Sequence, residues 1–153
     1  DINVVTYLSN PELKETFYNA GATYVIPEKE ITSRLIASFV FEPDVARYTE
    51  DLITTATSGD TYDFMEFRVL PENPYVGQNC QEAFFNLKKD LNAILMGISK
   101  KRDRDSFDLV KNPGTDTTVA AGDFLILVSD GTSKKNLEKA FAINEGRVIT
   151  SSQ

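Results

Sequence analysis

"NPGTDTTVAAGDFLILVSD", Asn112 to Asp130, holds a polar loop, a turn and an apolar strand in that order. Ala121-Gly122-Asp123 has turn chemistry: Gly122 allows a backbone angle that other residues resist, and Asp123 favours the bend. Phe124 to Val128 is then a bare apolar run, which suits a buried strand. The stretch has no His and no Cys, and its acids sit in turn positions. It reads as scaffold, a loop and turn leading into the last strand of the chain, and not as a site of chemistry.

Outward from it, the pattern is strands mixed with two helices. Met65, Phe67 and Val69 alternate with Glu66 and Arg68, a half-buried strand. Asn79 to Lys89 predicts a helix with Cys80, Phe84 and Leu87 on one side. "LNAILMGIS", Leu91 to Ser99, is apolar on both faces and predicts a central strand. Lys100 to Asp105 is a charged turn with basic and acidic residues interleaved, a solvated hairpin tip. "FDLV" and "TTV" are short strands. Ser133 is placed to cap a closing helix that buries Leu137, Ala140 and Phe141. Residues from Asn144 onward should fray. This unit is α+β.

The first part of the chain has a different rhythm. Ile2 to Leu8 suggests a strand buried on both faces, as in parallel sheets. Asn10-Pro11-Glu12 supplies an N-cap, a Pro at the first helical position and a first-turn acid. Leu13, Phe17 and Ala20 come next at helical spacing, Gly21 closes the helix, and Thr23 to Ile26 is a second strand. This β-α-β unit is the expected tail of a doubly wound lobe whose front half lies upstream. Ile31, Leu35 and Phe39 mark a helix over 30–41. Pro43 ends it and starts another over 43–56, with Val45, Tyr48, Leu52 and Ile53 as its stripe. Thr57 to Asp60 is the expected boundary between the units.

Composition excludes several functions. The 153 residues are 41% hydrophobic and 25% charged, with a net charge of −7. That balance disfavours nucleic acid and anionic membrane surfaces. With no His, Ser-His and Cys-His catalysis and His-containing zinc sites are out. Cys80 alone cannot form an internal disulfide and reads as a small core residue. No Gly-x-Gly-x-x-Gly loop occurs, so no enzymatic activity and no dinucleotide site is expected in this chain.

The order of parts resembles the regulator-of-potassium-conductance (RCK) domain, whose C-terminal lobe is also called TrkA-C. The carrying residues are "FRVLPENPYVGQ" (67–78), "LNAILMGISKKRD" (91–103) and "VKNPGTDTTVAAGDFLILVSD" (110–130). "NAGATYVIPEKEITSRLIASFVFEPDVARYTEDL" (19–52) resembles the end of the family's Rossmann-like N-lobe and its helical crossover. The resemblance implies three parts: the distal N-lobe over 1–28, crossover helices over 29–58 and a C-lobe over 60–143. It implies a cytoplasmic gating domain of a prokaryotic potassium channel or uptake system, tethered to the plasma membrane through a pore protein. Ligand binding would then change the angle between paired lobes. The alternatives are a regulatory module of another transporter or antiporter and, from another class, a fragment of an NAD-dependent enzyme.

Three candidate sites stand out. Phe39, Val40 and Phe41 are consecutive and apolar, and cannot all face one core. With Leu35, Val45, Tyr48 and Leu52 they suggest a homodimer contact, since the family's crossover interlocks subunits within a larger gating ring. Asp60, Asp63 and Glu66 have spacing that could hold calcium, or could be a solvated loop and a strand's outer face. Thr23 departs from calcium-gated relatives, which can carry an acid there. The surface from Asn92 through Ile94 and Met96 corresponds to where some relatives bind a cyclic dinucleotide, or is plain core strand.

Overall fold

The computed structural model describes residues 4–55, 58–103 and 106–147. In the first part, β1 (Val5–Leu8) pairs in parallel with β2 (Tyr24–Pro27), in the register Val5 to Tyr24 and Leu8 to Pro27. A 3₁₀ turn at Pro11–Leu13 and the short α1 (Lys14–Asn19) connect them. The N-cap forms as expected, with Asn10 Oδ1 accepting from Glu12 N at 3.1 Å. Gly21, at φ +97, ends α1.

Within this chain β1 lacks the cover that a strand buried on both faces needs, cover that the sequence reading assigns to an upstream half. Val5 and Tyr7 are each 59% exposed, and only Leu8 of β1 is buried. A two-stranded parallel sheet needs helix cover on each side to bury both faces, and one short connecting helix does not supply it.

α2 (Glu28–Phe41) and α3 (Pro43–Leu52) are separated by Glu42, whose backbone departs from helical geometry at φ −140 and ψ 65. Pro43 therefore breaks one helix and opens the next. The side chain of Ile31, predicted for the α2 stripe, lies outside the described residues. α3 stops earlier than expected: Thr54 N and Oγ1 both turn back to Asp51 O, at 3.0 and 2.7 Å. The chain divides into two compact units between Thr49 and Glu50, inside α3 rather than at the Gly-containing loop. The last turn of α3 goes with the second unit because the Asp51 carboxylate accepts from Tyr62 N at 2.9 Å.

The second unit is an antiparallel sheet in the order β3-β6-β4-β5. Its strands are β3 (Tyr62–Arg68), β4 (Ile94–Lys101), β5 (Phe107–Lys111) and β6 (Phe124–Asp130). The apolar run from Phe124 to Val128 is central: β6 lies between β3 and β4. "TTV" makes no strand, only an isolated bridge from Thr118 to Asn79.

One sheet face meets α4 (Cys80–Leu91) and α5 (Lys134–Phe141). Met65, Phe67 and Val69 alternate inward as predicted, and meet Leu125, Leu127, Ile98, Cys80, Leu87, Leu137 and Phe141 in a single core. Phe141 packs its ring 5.1 Å from Phe67 and 5.8 Å from Tyr75. Asn79 caps α4 through Oδ1 to Glu82 N at 2.9 Å. Asn92 ends it in the left-handed region at φ +52, which Asn tolerates better than most residues.

Candidate functional site

The first unit carries an uncovered apolar surface. Ile36 is 60% exposed, Phe39 41%, Val40 69%, Phe41 82%, Val45 53% and Tyr48 47%. This arises directly from the sequence, because three consecutive apolar residues at the end of α2 sweep most of a helical turn. Within the predicted interface set, Leu35 is half-buried. Leu52, also half-buried, belongs to the second unit.

The second unit is braced by two buried carboxylates. Asp123, in the Ala-Gly-Asp turn, accepts from Lys101 N at 2.9 Å and Ala120 N at 2.8 Å. It also pairs with the Lys100 ammonium, which donates to Thr118 O at 2.7 Å as well. Lys100 is thus no part of a solvated tip: it lies inside β4 and locks the polar loop to the turn. Arg104 and Asp105 of the expected tip lie outside the described residues. Gly122 adopts φ +92, so the turn does need a residue without Cβ.

Asp130 ends β6. It accepts from Thr132 N and Ser133 N at 2.9 Å each, from Ser133 Oγ at 3.0 Å, from Thr132 Oγ1, and from Asn92 Nδ2 at 2.9 Å. Burial pushes this carboxyl up, but the hydrogen bonds outweigh burial and hold it down at about 2. Ser133 therefore does not cap α5 with its own hydroxyl, as expected; that hydroxyl donates to Asp130. The motif Asp130-Gly131-Thr132-Ser133 carried a signal for this, since an Asp readily takes N–H groups two and three residues on.

The calcium candidates are not brought together. Asp60 is exposed in the turn before β3. Asp63 and Glu66, three apart on a strand, point to opposite faces. Glu66 is engaged by Arg147, with Nη2 to Oε1 at 2.7 Å and Nε to Oε2 at 3.0 Å. Among the described residues no group of three His, Cys, Asp or Glu side chains is placed to hold a metal ion. Arg147 also corrects the expectation of fraying for residues 144–147; residues 148–153 of that expectation lie outside the described residues. Glu145 pairs with Lys134, and Gly146 N donates to Glu66 O at 2.8 Å. Nothing in the local sequence marked Arg147, because its partners are on distant strands.

On the Asn92–Met96 surface, Asn92 is committed to Asp130 and to Lys88, whose Nζ donates to it at 2.7 Å. Ile94 is half-buried, and Met96, 44% exposed, sits at a bulge in β4. A cavity of about 330 Å³ lies nearby, lined by Cys80, Phe84, Phe85, Leu95, Asn112 and Pro113 among others. Burial pushes the Cys80 thiol up, which favours the protonated, unreactive form.

No protein-family model and no curated protein matches the chain. Among solved structures it resembles the human SLO3 gating ring at a TM-score of 0.66 and 11% identity, over 92% of this chain and 28% of that one. It also aligns with the GsuK RCK domain at a TM-score of 0.48 and 18% identity, over 92% and 27%. The RCK_C domain dimer of S. agalactiae BusR in complex with c-di-AMP aligns at 0.41 and 18%, over 50% and 92%. The chain has an RCK-type fold. It spans a little over a quarter of the gating-ring chain it matches. Among the described residues no helix is long and apolar enough to cross a membrane.

Proposed function

We propose that this chain is a ligand-sensing regulatory segment of a potassium channel, working as a homodimer within a gating ring and passing conformational change to a pore. The observation that carries the reading is the likeness to the SLO3 gating ring over 92% of the chain. The exposed apolar ends of α2 and α3 support it. Burying one large apolar side chain is worth about 1.5–3 kcal/mol. Several from each of two copies can outweigh an association cost of about 4–15 kcal/mol. Two-fold symmetry would set the Phe39–Phe41 segment of each copy on the other.

The channel is taken as prokaryotic and the domain as cytoplasmic, held at the plasma membrane by its pore protein. The chain is taken to do no catalysis: its work is to bind a nucleotide-type regulatory ligand with different affinity in the open and closed arrangements, the calcium alternative having lost its ligand set among the described residues. Sedimentation tests the dimer. The wild-type chain should be dimeric at tens of micromolar, well above a micromolar dissociation constant. Phe39→Asp should be monomeric while its second unit stays folded. A wild-type monomer at that concentration overturns the interface.

A further inference from the structure

Arg147 enters a slot whose walls come from all four strands of the second unit. Glu66 on β3 accepts Nε and Nη2 side by side, at 3.0 and 2.7 Å. Ser99 on β4, only 4% exposed, accepts from Nη2 at 3.2 Å. The guanidinium carbon stands 4.6 Å from the ring centres of both Phe107 on β5 and Phe124 on β6. These rings meet edge to face with centroids 5.2 Å apart.

Each wall suits a guanidinium more than any other cation. A carboxylate takes the planar fork through two parallel hydrogen bonds. Two aromatic surfaces suit a delocalised, weakly hydrated cation, whereas an ammonium is compact and strongly hydrated. The occupant is also held by its backbone, because Gly146 N donates to Glu66 O on an edge strand. The slot opens to solvent: the Arg147 side chain is 42% exposed and that of Glu66 27%.

We propose that Glu66, Ser99, Phe107 and Phe124 form a receptor for an arginyl residue of an extended peptide segment, and that Arg147 occupies it as a tethered, displaceable stand-in. A partner presenting Gly-Arg in extended form would make the same fork, the same ring contacts and the same bond to the β3 edge. Tethering gives Arg147 an effective concentration in the millimolar range, so it acts as a cis competitor that such a partner must displace. This inference does not depend on the gating reading.

The test uses the full chain with Arg147→Ala and the probe peptide acetyl-Gly-Arg-amide. Amide shifts of Glu66 and Ser99 are followed by NMR. Saturable binding is expected, about tenfold or more tighter to R147A than to wild type because the tethered competitor is gone. Glu66→Gln in the R147A background should abolish it. Acetyl-Gly-Lys-amide should bind about tenfold more weakly, lacking the fork. Methylguanidinium, lacking the backbone donor, should bind more weakly than the arginyl peptide; equal affinity overturns the peptide source. Absence of saturable binding to R147A, or equal affinity for wild type and R147A, overturns the receptor. If R147A does not fold, Arg147→Lys replaces it, and tighter peptide binding than to wild type is again required.

Discussion

Asp130→Asn removes one charge from a carboxylate that five donors surround, while keeping its shape. The folded carboxyl is held at about 2, against a usual 3.8. That difference corresponds to roughly 2.5 kcal/mol of preference for the ionised form in the folded state. Because the folded value is the lower one, the contribution is complete above the unfolded value near 4 and is lost as pH falls through about 2. The amide adds a second cost that does not depend on pH, since its N–H groups point donors at donors. The stability gap between wild type and D130N should therefore be about 2 kcal/mol or more at pH 6 and shrink by about 2 kcal/mol at pH 2. Urea unfolding followed by circular dichroism at several pH values between these limits measures the gap, and other carboxylates cancel in the difference. A gap that stays constant across that range would refute the reasoning, because the hydrogen bonds would then not favour the charged form.

Asp123→Ala should cost about 3–5 kcal/mol, because it strands the Lys100 ammonium and two backbone donors in a buried turn; a thermal or urea midpoint close to wild type contradicts this. Gly122→Ala should cost about 1–2 kcal/mol, since φ +92 is strained for any side chain and a Cβ would stand 3.0 Å from Lys101 Cδ. Its unfolding midpoint should fall without loss of the folded spectrum. Phe39→Asp, in the helices, should change the sedimentation of the chain and leave the unfolding of the second unit unchanged.

What the sequence determined by itself is the local grammar. The alternation at Met65, Phe67 and Val69 sets which face of β3 is buried, because side chains alternate along any strand. Asn10-Pro11-Glu12, Asn79 and Pro43 place helix starts through bonds that reach only a few residues. The glycine demand at Gly122 is likewise a property of one turn. The apolar run Phe39–Phe41 foretold an uncovered surface, since a helix cannot turn three neighbours to one side.

Only the tertiary structure decided the rest, and the reason is sequence separation. Asp130 meets Asn92, Lys100 meets Asp123, and Arg147 meets Glu66 across 81 positions. In each case a side chain that local polarity assigned to solvent is drawn to a partner far along the chain. The strand order β3-β6-β4-β5 makes those meetings possible, and no periodicity encodes it. Burial of β1 is likewise beyond local composition. Its apolar residues suit a sheet interior, but burial requires covering surface from other elements, which local composition does not reveal.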